Sequence, residues 1–149
     1  RSYLINYSLA QQNPYKEDSP FWGGTKNFYL LKPQWTFDEK AYEMYGKKGI
    51  ELAKKHMTEI DRLCKKHGVE LHIVVWPWHL NLFMKNGRRN LELWEGFAKE
   101  KNIDLIQMYD LFESIPHENI DDYFISEDIH WSKKGNHFVA DYLWQFLDH

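Results

Sequence analysis

The sequence predicts an α/β fold with parallel strands, and three observations predict it. Leu71-His72-Ile73-Val74-Val75-Trp76 is a nearly continuous apolar, β-branched run. A half-exposed strand would alternate, so the run reads as buried on both faces, as strands of a parallel sheet are. Ile103 to Met108 reads as a second short strand. Between them, Arg88 to Lys101 carries Leu91, Trp94, Phe97 and Ala98 at helical spacing. Together with a long helix ahead of the first strand, this makes a βαβ unit with a right-handed crossover. Two parallel strands leave the sheet incomplete. Either residues 1–37 add strands, or chain outside this sequence completes it.

Residues 1–37 read as an irregular, aromatic-rich segment. Asn13-Pro14, Ser19-Pro20, Gly23-Gly24 and Lys32-Pro33 punctuate it. Its aromatics either cover core, as large rings do, or place Trp22 or Trp35 in a substrate groove. Residues 38–67 read as a long helix with Ala53, Met57, Ile60 and Cys64 on one face. Asp38 suits its N-cap and Gly68 its left-handed C-terminal stop. Gly46 and Gly49 weaken its first half and favour a kink or break there. His72 inside the strand reads as a hydrogen-bonded core histidine. Pro77 ends the strand, and Trp78 and His79 fall in the loop after it, where open α/β sheets place ligands. Tyr109 to Asp122 reads as a loop with a helical turn at Leu111 to Ser114. Ser132 is a good N-cap for a last helix whose apolar face is Phe138, Val139, Tyr142, Leu143 and Phe146. The order over residues 38–149 is thus helix, strand, helix, strand, loop, helix.

The bulk numbers agree with one domain, or with the C-terminal part of one. At 149 residues with 43% hydrophobic and 17% aromatic side chains, the chain can build a moderate core. A net charge of −3 without a basic stripe gives no reason to expect nucleic acid as a partner. One cysteine, Cys64, rules out an internal disulfide framework and a cysteine-rich metal site. No apolar run is long enough to be a membrane segment. The start at Arg1, with neither an initiator Met nor a signal peptide, reads as a piece of a longer protein.

The chemistry gathers near the end of the chain. Asp128 and His130 are two residues apart, so in extended backbone they point to the same side. A neutral imidazole takes a proton from a hydroxyl nucleophile when a carboxylate holds its other nitrogen. The competing reading is a loop whose polar groups satisfy backbone near a helix start. Ser2, Ser8, Ser19, Ser114, Ser126 and Ser132 all lie outside a Gly-x-Ser-x-Gly or Gly-Asp-Ser context. The base and its partner are therefore legible, and the nucleophile is not. A metal reading would use Asp128, His130 and His137 beside Glu127, yet no His-Glu-x-x-His spacing supports it, so no metal is called. Trp78, His79 and Trp131 make an aromatic rim that suits a sugar or acyl substrate.

The block Ser126-Glu127-Asp128-Ile129-His130-Trp131-Ser132-Lys133-Lys134-Gly135-Asn136 resembles the last conserved block of the SGNH/GDSL hydrolases. The short Asp-x-His spacing is the form seen in SGNH-like proteins linked to bacterial polysaccharide modification. Val74-Val75-Trp76-Pro77-Trp78 and Leu91-Glu92-Leu93-Trp94 also resemble a strand and helix of a subgroup, so the likeness covers roughly residues 40–148. It implies a flavodoxin-like three-layer α/β/α fold and ester hydrolysis or acyl transfer on a small-molecule or carbohydrate ester, without a cofactor. His130 would be the general base and Asp128 its orienting carboxylate. The family's nucleophilic Ser and its oxyanion Gly and Asn belong to earlier blocks that find no match here. The alternative is a non-catalytic carbohydrate-binding or assembly module. Relatives of this kind work at the cell envelope, which favours an envelope or extracellular location over a cytoplasmic one.

Overall fold

The computed structural model describes residues 32–84, 86–126 and 128–147. The reading of residues 1–31, Trp22 included, lies outside the described residues, as do Glu127 and His149. The described chain is mixed α/β, mostly helical, with one small parallel sheet. It divides into two compact units, one spanning Pro33–Glu113 and one built on the residues from Ser114 onward.

In the first unit the chain enters through a 3₁₀ turn, Gln34–Thr36, and a short helical stretch, α1 (Glu39–Ala41). Asp38 caps it, its Oδ1 accepting from the Ala41 N–H at 2.7 Å. A π-turn at Tyr42–Gly46 then joins α1 to the long helix α2 (Lys47–His67). This is the weak point that Gly46 marks in the sequence. A Cβ at Gly46 would stand 2.7 Å from the Trp35 Cβ, so the glycine lets the entering turn lie against the helix. Gly68 ends α2 with φ 65°, the left-handed cap.

The inward face of α2 differs from its periodic reading. Ala53, Met57 and Cys64 are half-buried, but Ile60 is exposed and Asp61 is buried in its place. Lys65, one turn on, donates to the Asp61 carboxylate at 2.9 Å. Lys65 also donates to the Lys101 carbonyl at 3.3 Å. A charged side chain with a partner on the same helix can occupy a position that hydrophobic periodicity alone assigns to an apolar residue.

β1 (His72–Val75) and β2 (Asp104–Gln107) are parallel, with His72 opposite Asp104, Ile73 opposite Leu105, Val74 opposite Ile106 and Val75 opposite Gln107. α3 (Arg89–Lys101) is the crossover between them. Ile73 and Val75 pack with Leu91, Phe97 and Ala98 of α3, with Met57 and Trp94 at the margin. Each of Ile73, Val75, Leu91 and Phe97, once buried, contributes about 1.5–3 kcal/mol relative to exposure. Asn102, at φ 52°, ends α3. α4 (Tyr109–Glu113) follows β2 directly and buries Tyr109 and Phe112 almost completely.

β1 is shorter than the run that announces it, and it is not buried on both faces. Ile73 and Val75 are buried, Val74 is partly so, and His72 is exposed. His72 is therefore not a core histidine. The register sets it against the Asp104 carboxylate rather than against an apolar layer.

The second unit contains a 3₁₀ segment, His117–Tyr123, and the last helix, α5 (Lys133–Leu147). Ile120 and Phe124 are buried, as is Val139 of α5. Tyr123 meets Phe138 edge-on with ring centroids 5.0 Å apart. Phe138, Tyr142 and Leu143 are half-buried, while Phe146 and Trp144 are exposed. Among the described residues, no helix is long and apolar enough to cross a membrane.

Candidate functional site

The segment from Phe124 to Trp131 is a tight loop closed by one antiparallel bridge, Phe124 opposite Trp131. Inside the bridge the Ile125 N–H donates to the His130 carbonyl at 3.0 Å, and the Asp128 N–H donates to the Ile125 carbonyl at 3.0 Å. Just outside it, the Ser132 N–H donates to the Tyr123 carbonyl at 2.9 Å. Ser132 then starts α5, its Oγ accepting from the Gly135 N–H at 3.2 Å. The same hydroxyl donates to the Asp122 carbonyl at 2.5 Å.

This loop brings Asp128 and His130 together. Asp128 Oδ1 lies 2.6 Å from His130 Nδ1. It also accepts from the Ile129 N–H at 2.5 Å and from the His130 N–H at 3.3 Å. The His130 side-chain bond, followed by the Ile129 amide, holds the Asp128 carboxyl below the usual carboxylate range. An ionised carboxylate can only accept, so Nδ1 of the neutral ring carries the proton and Nε2 keeps its lone pair. Among the described residues, Nε2 has no hydrogen-bond partner. The His130 side chain is 70% exposed and that of Asp128 41%, so their attraction is screened by water. The arrangement can nonetheless accept a proton at Nε2 and orient the ring that accepts it.

Trp131 is half-buried and bridges to Phe124 from the same loop. His137 is exposed on α5. Lys134 spans from α5 to Asp122 at 2.8 Å and lies over the Tyr123 ring at 4.5 Å. Asp122, first among the causes, pushes the Lys134 ammonium up from its ordinary value.

Trp78 and His79 belong to the other unit. The Trp78 N–H donates to Asn81 Oδ1 at 2.8 Å, and Asn81 Nδ2 donates to Thr36 Oγ1 at 2.6 Å. Asn81, itself buried, thus ties the loop after β1 to the entering turn. A Cβ at Gly87 would come within 2.1 Å of the Asn81 carbonyl oxygen, so the chain returning to α3 passes directly against this residue. Trp78 is half-buried, while His79 is buried and meets Phe83 edge-on at 5.2 Å. A pocket of about 210 Å³ opens beside β1, lined by Trp76, Trp78, Trp94, Met57, Val74 and Asn90 among others. Its three indoles and single amide suit a ring with one apolar face. Trp94 was legible only as a residue of the α3 apolar face. Asn81 gave no periodic signal at all, because its role rests on a partner 45 residues away.

One group could hold a cation. Glu70, His72 and Asp104 each bring a donor atom, all within 4.8 Å of one another. His72 faces Glu70 with Nε2 at 3.7 Å and Asp104 with Nδ1 at 3.8 Å. Both carboxylates are 76% exposed, so the trio has the character of a solvated ion-pair group set by the strand register.

No family model matches the chain, and it has no match among curated proteins or among solved structures.

Proposed function

We propose that this chain carries the base and its orienting acid of an SGNH-type serine esterase, acting on acyl esters, carbohydrate esters among them, by hydrolysis or acyl transfer. In this reading His130 Nε2 takes the proton of an attacking serine, and Asp128 fixes the tautomer and steadies the imidazolium that forms. The nucleophile and the oxyanion donors come from residues outside these 149, on a sheet completed into a flavodoxin-like three-layer α/β/α domain. The observation that carries the reading is the 2.6 Å contact between Asp128 Oδ1 and His130 Nδ1, which leaves Nε2 as the proton acceptor.

Ser132, the nearest serine in sequence on the C-terminal side, has its hydroxyl committed to the Asp122 carbonyl and to the start of α5, so it is a structural rather than a reacting group. The pocket among Trp76, Trp78 and Trp94, in the other unit, is the feature on which the alternative, a carbohydrate-binding module, would rely.

The test is turnover of p-nitrophenyl acetate by the full-length protein. His130→Ala is expected to lower kcat by roughly 10²–10⁴-fold, the range for a general base. Turnover that His130→Ala leaves unchanged would remove His130 as the base. Glycan binding lost in Trp78→Ala, with no esterase activity in the parent, would replace the enzyme with the binding module.

A further inference from the structure

We infer that Ser132 is a positioning residue for the Asp128–His130 pair, acting through the loop rather than on the ring. The inference deepens the proposed esterase reading and takes the pair as its base. Ser132 ties three pieces of backbone. Its hydroxyl donates to the Asp122 carbonyl at 2.5 Å and accepts from the Gly135 N–H at 3.2 Å, and its own N–H donates to the Tyr123 carbonyl at 2.9 Å. One residue therefore joins the chain entering the loop, the chain leaving it, and the first turn of α5.

The members of the pair hang from that junction. The Phe124–Trp131 bridge lies next to it. One step further in, Ile125 holds the His130 carbonyl through its N–H and the Asp128 N–H through its carbonyl, each at 3.0 Å. Both backbones are thus referenced to Ile125, and Ile125 is referenced to the Ser132 junction. The side-chain contact at 2.6 Å depends on both distance and angle, so it is lost when the two backbones part by a fraction of an ångström. The Phe124–Trp131 bridge and the Ile125–His130 backbone bond also close this loop, and the Ser132 hydroxyl is what ties that closure to Asp122 and to the first turn of α5. Lys134 on Asp122 is an exposed pair, which contributes little. Ser132 bonds to neither Asp128 nor His130, so an effect on the pair must travel through the loop.

The experiment is NMR of the full-length protein, following the Asp128 carboxyl carbon against pH and the proton on His130 Nδ1, in the parent and in Ser132→Ala and Ser132→Thr. We expect Ser132→Ala to move the Asp128 midpoint upward, toward the ordinary value near ~3.9, and to abolish the hydrogen-bonded Nδ1 proton signal. We expect Ser132→Thr, which keeps a hydroxyl at the same place, to restore both. Esterase kcat should fall about ten- to a hundredfold in Ser132→Ala, the scale of a small misplacement of a reacting group. If Ser132→Ala does not fold, Ser132→Gly carries the same readout, because glycine serves nearly as well at a helix N-cap. A midpoint and a ring proton unchanged in Ser132→Ala or Ser132→Gly, with only thermal stability reduced, would make Ser132 a helix cap and nothing more. The spectroscopic readout needs no turnover, so a protein without esterase activity would sink the enzyme reading while leaving this one decidable.

Discussion

Two glycines in helices should respond to alanine with opposite signs. At Gly135, in the first turn of α5, a Cβ would stand 2.1 Å from the Tyr123 carbonyl oxygen and 3.0 Å from the Trp131 Cβ. A carbon and a carbonyl oxygen in contact sit at roughly 3.3 Å, so the helix start and Tyr123 must part by about 1.2 Å. That opening carries the Ser132 N–H···O bond to Tyr123, now 2.9 Å, out of hydrogen-bonding range. The lost bond costs about 1 kcal/mol, and the strain of forcing in a methyl adds about 1–3 kcal/mol. Against this, alanine gains about 1 kcal/mol over glycine in a helix. The net for Gly135→Ala is a loss of about 1–3 kcal/mol. At 149 residues each kcal/mol moves Tm by about 2–4 °C, so Tm should fall by about 2–12 °C. At Gly96, inside α3, a Cβ would meet nothing within 4 Å. Gly96→Ala therefore keeps the propensity gain and should raise Tm by about 2–4 °C. Thermal unfolding followed by far-UV circular dichroism reads both. A Gly135→Ala variant as stable as Gly96→Ala would refute the reasoning, because the Tyr123 carbonyl could not then lie against the start of α5.

The remaining expectations concern other sites. Asn81→Ala leaves the Trp78 N–H without its acceptor and takes the Asn81 donor from Thr36 Oγ1, whose hydroxyl keeps its bond to the Pro33 carbonyl; it should cost about 1–3 kcal/mol and show as a lower midpoint in urea with an unchanged slope. The Asp128 carboxyl titrates below its ordinary value in the fold, so the stability it contributes is present above about pH 3.9 and is lost as pH falls through the folded-state midpoint. Asp128→Asn should remove that acid-side dependence, and curves of parent and variant that stay parallel below pH 4 would count against it. Among the described residues, the buried Tyr109 hydroxyl has no partner in hydrogen-bonding geometry. Burial is the leading cause that pushes its phenol up, with the Asn90 side chain and the Arg88 charge opposing. The folded state therefore retains this proton, and stability present below about pH 10 declines as pH rises toward the folded-state value. Tyr109→Phe should be within about 1 kcal/mol of the parent at pH 7 and should lose less stability in alkali; an equal alkaline loss would assign it to other groups.

The parts of the fold that were legible depend on neighbours in sequence. Asp38 and Ser132 as caps, Gly68 as a helix stop, and the apolar face of α3 each follow from residues within one or two turns. The meeting of Asp128 and His130 was legible for the same reason, since two residues of spacing and a loop suffice to bring them to 2.6 Å. What stayed hidden depends on partners far along the chain. His72 looked like core because its neighbours are apolar, and only the strand register, 32 residues away at Asp104, turns it toward a carboxylate. Asp61 displaced Ile60 from the inner face of α2 because Lys65 keeps it paired, a choice that hydropathy does not encode. Asn81 and Gly87 matter through backbone contacts that no motif announces. The nucleophile of the proposed function was not legible, because no serine of the chain lies in a Gly-x-Ser-x-Gly or Gly-Asp-Ser context.

The claim on which the proposed chemistry rests is that His130 presents a bare Nε2 because Asp128 holds the proton on Nδ1. Long-range ¹H–¹⁵N correlation of the His130 ring, recorded at a pH where the imidazole is neutral, reads this directly. The account predicts a protonated Nδ1 and an unprotonated Nε2, with the preference lost in Asp128→Asn. A ring that carries its proton on Nε2, or one that Asp128→Asn leaves unaltered, would contradict it.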